Sequence, residues 1–172
     1  MSLRVVAFDW GNTLIRTQGV AAGPERPAAE LMPGVVEALE GTYERFTCCV
    51  ATNAGRSDAS RVGVALERVG IRKYFSHIFT ALDLGVSKPH PLFFEAMLET
   101  LGALPHEAVM VGDDYLTDIA GAKRAGMYTI WVARTQVQGR PPDADAVVAS
   151  LHELPDVLAG LAPQPTPERL DA

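Results

Sequence analysis

The chain predicts a three-layer α/β fold with a mostly parallel central sheet, and three features of the sequence carry that reading. Apolar runs without polar alternation recur at residues 5–8, 46–51 and 108–111, as strands buried on both faces require. Segments with helical start signals and glycine stops lie between them. Each of these runs ends abruptly in small and polar residues, Asp9 to Thr13, Thr52 to Gly55, and Gly112 to Asp114. Strands that alternate with helices pair in parallel through right-handed crossovers, with helices covering both faces of the sheet.

The elements follow in order. Residues 5–8 form the first strand, Val-Val-Ala-Phe, halted by Asp9 and Gly11. Residues 14–30 carry Gly19, Gly23, Pro24 and Pro27 with little periodicity and read as a loop or flap over the sheet edge. Pro33 is suited to open a helix, with Val35, Val36 and Leu39 on its buried side. After the strand at 46–51, residues 57–69 read as a helix closed by Gly70, 77–82 as a short strand, and 91–101 as a helix closed by Gly102. The strand at 108–111 leads into a helix over 115–124 that stops at Gly126, then a strand over 127–132. A short strand at 146–148 and a helix over 151–161 complete a single domain spanning residues 1–161, and the Pro-rich segment 162–172 is expected to be a disordered tail. No internal repeat is visible.

Bulk composition narrows the function. A chain of 172 residues, 48% hydrophobic, is long enough for one sizeable core. A net charge of −6 with scattered Lys and Arg argues against nucleic acid or an anionic membrane as a partner. Cys48 and Cys49 are adjacent in a strand, where side chains alternate faces, so they read as buried thiols of a reducing compartment and not as a disulfide. Neither a signal peptide nor a membrane-span run is recognisable, and the expected location is the cytoplasm.

Parallel strands deliver their C-terminal ends to one sheet edge, the edge where ligands bind in open α/β sheets. Asp9, Thr52 and Asp113 therefore share a site. Lys88 joins them from Ser87-Lys88-Pro89-His90-Pro91, where Pro89 keeps Lys88 out of the helical region. Taken singly, Asp9 is equally well a turn residue and Lys88 a solvated loop lysine. Asp113, Asp114 and Asp118 place three acids at a helix start; the helix dipole favours them by about 0.3–1 kcal/mol, and Asp114 suits the N-cap. Carboxylates crowded beside Asp9 nevertheless repel one another unless a cation lies between them, and hard oxygen ligands suit Mg²⁺.

Four segments in order, Asp9-Trp10-Gly11-Asn12-Thr13, Thr52-Asn53, Lys88-Pro89, and Gly112-Asp113-Asp114 through Asp118, resemble the motifs of the haloacid dehalogenase superfamily of aspartate-nucleophile phosphohydrolases. The resemblance extends to about Leu161. It implies the Rossmann-like form of the fold, attack of Asp9 on phosphorus to give an aspartyl-phosphate, a hydrogen bond from Thr52 to a phosphoryl oxygen, substrate contacts from Thr52, Asn53 and Lys88, and charge neutralisation by Lys88. It further implies Mg²⁺ on the Asp9 carboxylate, the Gly11 carbonyl and Asp113, with Asp114 or Asp118 alongside. The cation is needed because an aspartate about 4 Å from a phosphate dianion is repelled by on the order of 8 kcal/mol at an effective dielectric near 20.

The sequence departs from the superfamily pattern two residues after Asp9. Most phosphatases of this type carry a second aspartate there, as acid and then base; this chain has Gly11. General acid–base catalysis supplies about 10²- to 10⁴-fold, so its loss slows turnover without removing the nucleophile. Three readings follow: a phosphohydrolase of phosphate esters or acyl phosphates whose proton comes from elsewhere or is not needed, a non-catalytic phosphoryl-binding or scaffold domain, and a metal-independent dehalogenase, against which Asp113, Asp114 and Asp118 speak. Neither gap that usually houses a cap domain is long enough to hold one. The expected site is therefore open to small or macromolecular phosphorylated substrates, or closed by a second copy of the chain. Trp10 is expected to pack in the core, His90 and His106 to serve no catalysis, and Arg56 to be a solvated helix-start residue.

Overall fold

A computed structural model describes residues 2–16, 29–135, 139 and 141–161. The predicted tail at 162–172 and most of the predicted flap, residues 17–28, lie outside the described residues.

Six strands form one parallel sheet in the order β3-β2-β1-β4-β5-β6. They are β1 (Val5–Phe8), β2 (Thr47–Thr52), β3 (His77–Thr80), β4 (Ala108–Gly112), β5 (Tyr128–Val132) and β6 (Ala146–Val148). The helices are α1 (Val35–Thr42), α2 (Ala59–Arg68), α3 (Ala81–Leu84), α4 (Pro91–Leu101), α5 (Gly121–Arg124) and α6 (Leu154–Leu161). The continuous apolar runs have their explanation in two separate cores. On β1, Val6 and Phe8 face one layer with Leu39 of α1, Leu66 of α2 and Leu158 of α6. Val5 and Ala7 face the other with Phe93, Phe94 and Met97 of α4 and Ala122 of α5. A strand walled on both sides has no position for a polar residue until it ends. Cys48 and Cys49 point into opposite cores as free thiols; burial pushes Cys48 up to about 12 and Cys49 further, so neither is a ready thiolate.

Several boundaries differ from the sequence reading, each for a local reason. The first helix begins at Val35 and not at Pro33, because Gly34 turns through a left-handed φ of 82° at its N-cap. A side chain at Gly34 would also collide with His152, whose amide lies 2.5 Å from the position of a Cβ. Val36 is 38% exposed and not on the buried side; Ala38 is buried instead. Asp58 accepts the Arg61 amide at 2.9 Å, so α2 starts at Ala59. Thr80 caps α3 by accepting the Asp83 amide at 3.1 Å, which ends β3 two residues early. Residues 115–124 are not one regular helix: wide π-type turns over Tyr115–Ala120 precede α5, and such turns are associated with functional sites. The closing helix begins with a 3₁₀ turn at Leu151–Glu153.

The strand order reverses between β1 and β4, so this pair forms the topological switch point. Asp9 and Asp113 leave these two strands side by side. Among the described residues no second globular unit interrupts the sheet, and no helix is long and apolar enough to cross a membrane.

Candidate active site

Three of the predicted site residues, Asp9, Lys88 and Asp118, meet at one buried ammonium. Lys88 Nζ donates to Asp9 Oδ1 at 2.9 Å, to Asp118 Oδ1 at 2.6 Å and to the carbonyl of Ala51 at 2.7 Å. Three donors meet three acceptors, so the ammonium is fully satisfied although its side chain is 1% exposed. Burial alone would lower the Lys88 pKa; the Asp9 and Asp118 charges and their hydrogen bonds outweigh it and hold the group above its usual range. The other Asp9 oxygen, Oδ2, accepts from Thr13 Oγ1 at 3.3 Å, and the same hydroxyl lies 3.3 Å from Asp113 Oδ1. Asp9 is thus oriented through both of its oxygens.

Asp9, Asp113 and Asp118 each bring one carboxylate oxygen to within 4.8 Å of the others. Against the single charge of Lys88, these three groups leave two negative charges uncompensated. Burial, followed by the Asp9 charge, raises the pKa of Asp113, while Arg134 pulls it down. Asp118 is also shifted upward, by burial first and against the pull of Lys88. A hard-oxygen cluster with an excess of two negative charges fits a divalent cation.

The structure assigns the remaining candidates as follows. Gly11 lines the cleft and leaves it without a side chain at that point, whereas Asn12, in a left-handed conformation at φ 56°, lines the same wall. Asp114 also lines the cleft, but its Oδ1 accepts the amides of Leu116 at 3.0 Å and Thr117 at 2.9 Å, as the N-cap reading anticipated. Its own amide donates to Asp118 Oδ2 at 3.1 Å. Asn53 lines the cleft while its carboxamide clamps the backbone of Lys88, donating to the carbonyl at 2.9 Å and accepting from the amide at 2.8 Å. Thr52 is buried at the end of β2, and its hydroxyl oxygen accepts the Ala54 amide at 3.0 Å. Trp10 packs partly buried against the core, as expected. Arg56 is exposed and His90 caps α4 by accepting the Leu92 amide. Three contributors escaped the sequence reading, Thr13 as the bridge between Asp9 and Asp113, the Ala51 carbonyl as an acceptor for Lys88, and Arg134 as the cation acting on Asp113. The four-residue spacing of Thr13 from Asp9 was a usable signal; nothing local marks Arg134.

The nucleophile-like aspartate at the end of β1, the buried lysine and the acidic pair after β4 define a class, and sequence comparison gives it a family. The chain belongs to the haloacid dehalogenase-like hydrolases, whose family model matches residues 14–132, more than half of the chain. That span contains Thr52, Lys88, Asp113 and Asp118 and begins just past the Asp9 turn. A glyceraldehyde 3-phosphate phosphatase of Methanopyrus kandleri is 39% identical over 102 residues, 56% of this chain and 44% of that protein. A phosphoserine phosphatase of Thermus thermophilus is 38% identical over 141 residues, 73% of this chain and 54% of that protein. The chain thus spans about half the length of these relatives. Among solved structures, an uncharacterized protein from Listeria monocytogenes serotype 4b superposes with a TM-score of 0.78 at 29% identity, covering 92% of this chain and 98% of that one.

Proposed function

We propose that the chain is a Mg²⁺-dependent phosphohydrolase that works through an aspartyl-phosphate on Asp9. The single observation that carries this reading is the two-sided hold on Asp9: Lys88 on Oδ1, Thr13 on Oδ2. A carboxylate fixed in this way at the switch point is preorganised for in-line attack, and positioning with charge stabilisation makes up most of phosphoryl-transfer catalysis. Asp9, Asp113 and Asp118, with the Gly11 carbonyl, are the groups that would hold Mg²⁺. When bound, the ion offsets the repulsion between Asp9 and a phosphoryl dianion and stabilises charge on the equatorial oxygens.

An Asp9 oxygen forms the new bond to phosphorus, the bond to the leaving oxygen breaks, and the leaving group departs with that electron pair. Water then attacks phosphorus, breaks the acyl-phosphate bond and restores Asp9 with release of inorganic phosphate. Lys88 acts chiefly as the aligning partner of Asp9, since each of its N–H donors is already engaged, and its charge reaches the phosphoryl group through space. The Thr52 hydroxyl, whose oxygen is held by Ala54, keeps its own proton for a phosphoryl oxygen. Gly11 supplies no acid, so acyl phosphates and esters with good leaving groups are the favoured substrates.

The test is Mg²⁺-dependent phosphate release from acetyl phosphate and p-nitrophenyl phosphate. Asp9→Asn is expected to abolish it while leaving the fold intact. Gly11 also favours a second reading, a phosphoryl-binding domain without turnover. That reading prevails if a broad substrate screen is silent while beryllium fluoride still binds with Mg²⁺.

A further inference from the structure

Thr13 separates the catalytic carboxylates from a second cavity of about 280 Å³, which opens between the loop leaving β1, the end of β5 and the turn after β6. Its apolar walls include Met32, Pro33 and Val132, and its polar groups are Thr13, Arg16, Arg134 and Ser150. Among the described residues no carboxylate lines it. The chain carries a net charge of −6, yet two of its arginines line this one cavity. The Thr13 hydroxyl touches both Asp9 and Asp113 at 3.3 Å, so the cavity is one side chain away from the groups that would act on phosphorus.

The two arginines differ in how they are engaged. Arg16 is paired with Glu30 at 3.1 Å, but both side chains are exposed, at 44% and 67%, and such a pair is weak enough to yield to a better anion. Arg134 is exposed, and among the described residues it enters no hydrogen bond or ion pair. Its charge is nonetheless felt at Asp113, which places it within electrostatic reach of the site. The planar guanidinium fork matches the paired oxygens of a carboxylate or phosphate, and a charge-assisted, two-pronged contact of this kind selects for geometry as well as charge.

We propose that this cavity receives a second anionic group of the substrate, a carboxylate or a second phosphate, through Arg134 with help from Arg16, while the transferred phosphoryl group sits at Asp9. The assignment rests on the phosphohydrolase reading for its location beside the nucleophile, and it narrows the substrate class to phosphorylated compounds bearing two anionic groups a few bonds apart.

The experiment compares matched ligands with wild type, Arg134→Gln, Arg134→Lys and Arg16→Gln in the presence of Mg²⁺. The carboxylate arm sets 3-phosphoglycerate against glycerol 3-phosphate; the phosphate arm sets propane-1,3-diyl bisphosphate against the corresponding monophosphate. Wild type is expected to prefer one doubly anionic ligand by on the order of tenfold in kcat/KM, and the arm that shows it identifies the group. Arg134→Gln should erase the preference and Arg134→Lys should keep part of it, the readout being the kcat/KM ratio within each matched pair for one and the same variant. Equal kcat/KM within both pairs for wild type, or a preference that survives both glutamine substitutions, overturns the assignment. The phosphohydrolase reading fails separately, if neither acetyl phosphate nor p-nitrophenyl phosphate turns over; where the matched alkyl phosphates turn over too slowly to compare, calorimetric binding of the same pairs decides about the cavity. There, tighter binding of a doubly anionic ligand that is lost in Arg134→Gln upholds it, and equal or undetectable binding overturns it.

Discussion

Asn53 and Lys88, thirty-five positions apart, are joined by two reciprocal hydrogen bonds of 2.9 and 2.8 Å between the Asn53 carboxamide and the Lys88 backbone. The clamp ties the loop after β2 to the segment that delivers the ammonium to Asp9. A loop held at its backbone cannot drift, so the three short bonds of Lys88 Nζ depend on a residue that does not touch the ammonium.

Asn53→Ala removes both bonds and leaves the ammonium chemically intact. Each lost bond costs about 1 kcal/mol, so the melting temperature should fall modestly. Activity should fall further than stability implies, by on the order of 10- to 100-fold in kcat, because a small misplacement of an aligned pair is costly. Steady-state kinetics beside a thermal melt checks this: a variant with lower stability and unchanged kcat would show that the clamp serves the fold alone.

The positions of the strand ends were legible in the sequence because burial on both faces leaves an unmistakable apolar run, and β1, β2 and β4 each release their polar residues where that run stops. Asp9 and Asp113 were legible for the same reason, since topology carries strand ends to one edge, whereas Lys88 was placed by Pro89 and Asp118 by the run of acids at a helix start. What stayed hidden depends on contacts between distant residues. Helical periodicity over 115–124 does not register that Asp118 must turn inward to Lys88 and Gly112, where wide turns replace regular ones. Val36 has the hydrophobicity of a core residue, but in the helix that starts at Val35 after the left-handed Gly34 it is exposed. The uses of Asn53 and Arg134 are set by partners on other loops, which no local pattern encodes.

Gly112 permits the approach of Asp118. A Cβ at Gly112 would lie 2.2 Å from Asp118 Oδ2 and 2.5 Å from its Cβ. In Gly112→Ala the carboxylate must therefore swing away, breaking its bond to Lys88 and its share in the acidic cluster. Overpacking of this kind costs about 1–3 kcal/mol. The sharper readout is Mg²⁺ affinity by calorimetry, expected to weaken by more than about tenfold; unchanged affinity would remove Asp118 from the cation site.

Asp113 and Asp118 are both shifted upward, chiefly by burial, with Asp9 adding repulsion and Lys88 opposing it at Asp118. From about pH 4, where an unfolded aspartate ionises, up to these raised values, the folded state keeps protons that the unfolded state has lost. The metal-free protein should accordingly lose stability as pH rises through that window. Lys88, raised in its turn, adds stability that disappears only as pH climbs through its own elevated value in the alkaline range. Mg²⁺ needs the ionised carboxylates, so its affinity, and the stabilisation it confers, should grow over the same window. Thermal melts with and without Mg²⁺ between about pH 5 and 8 should show a gap that widens with pH; a constant gap would mean that neither carboxylate exchanges its proton for the cation.

In the proposed mechanism Gly11 limits which leaving groups the site can turn over. It lines the cleft beside Asp9 without a side chain, and the other carboxylates lining the cleft are already engaged, Asp113 and Asp118 in the acidic cluster and Asp114 at its cap. A carboxyl group placed there by Gly11→Asp would stand two residues from the nucleophile, in position to protonate a departing alkoxide and then to activate water. General acid catalysis contributes about 10²- to 10⁴-fold where the leaving group is poor and little where it is already a stable anion. The substitution should therefore raise kcat/KM for an alkyl phosphate by at least about tenfold and leave acetyl phosphate within a few-fold, narrowing the gap between the two substrates. Parallel assays on both substrates, with Asp9→Asn in the same background to confirm that the nucleophile is unchanged, check this. A folded Gly11→Asp variant with no gain on the alkyl phosphate would mean that leaving-group protonation does not limit the reaction and that alignment of Asp9 by Lys88 and Thr13 sets the rate instead.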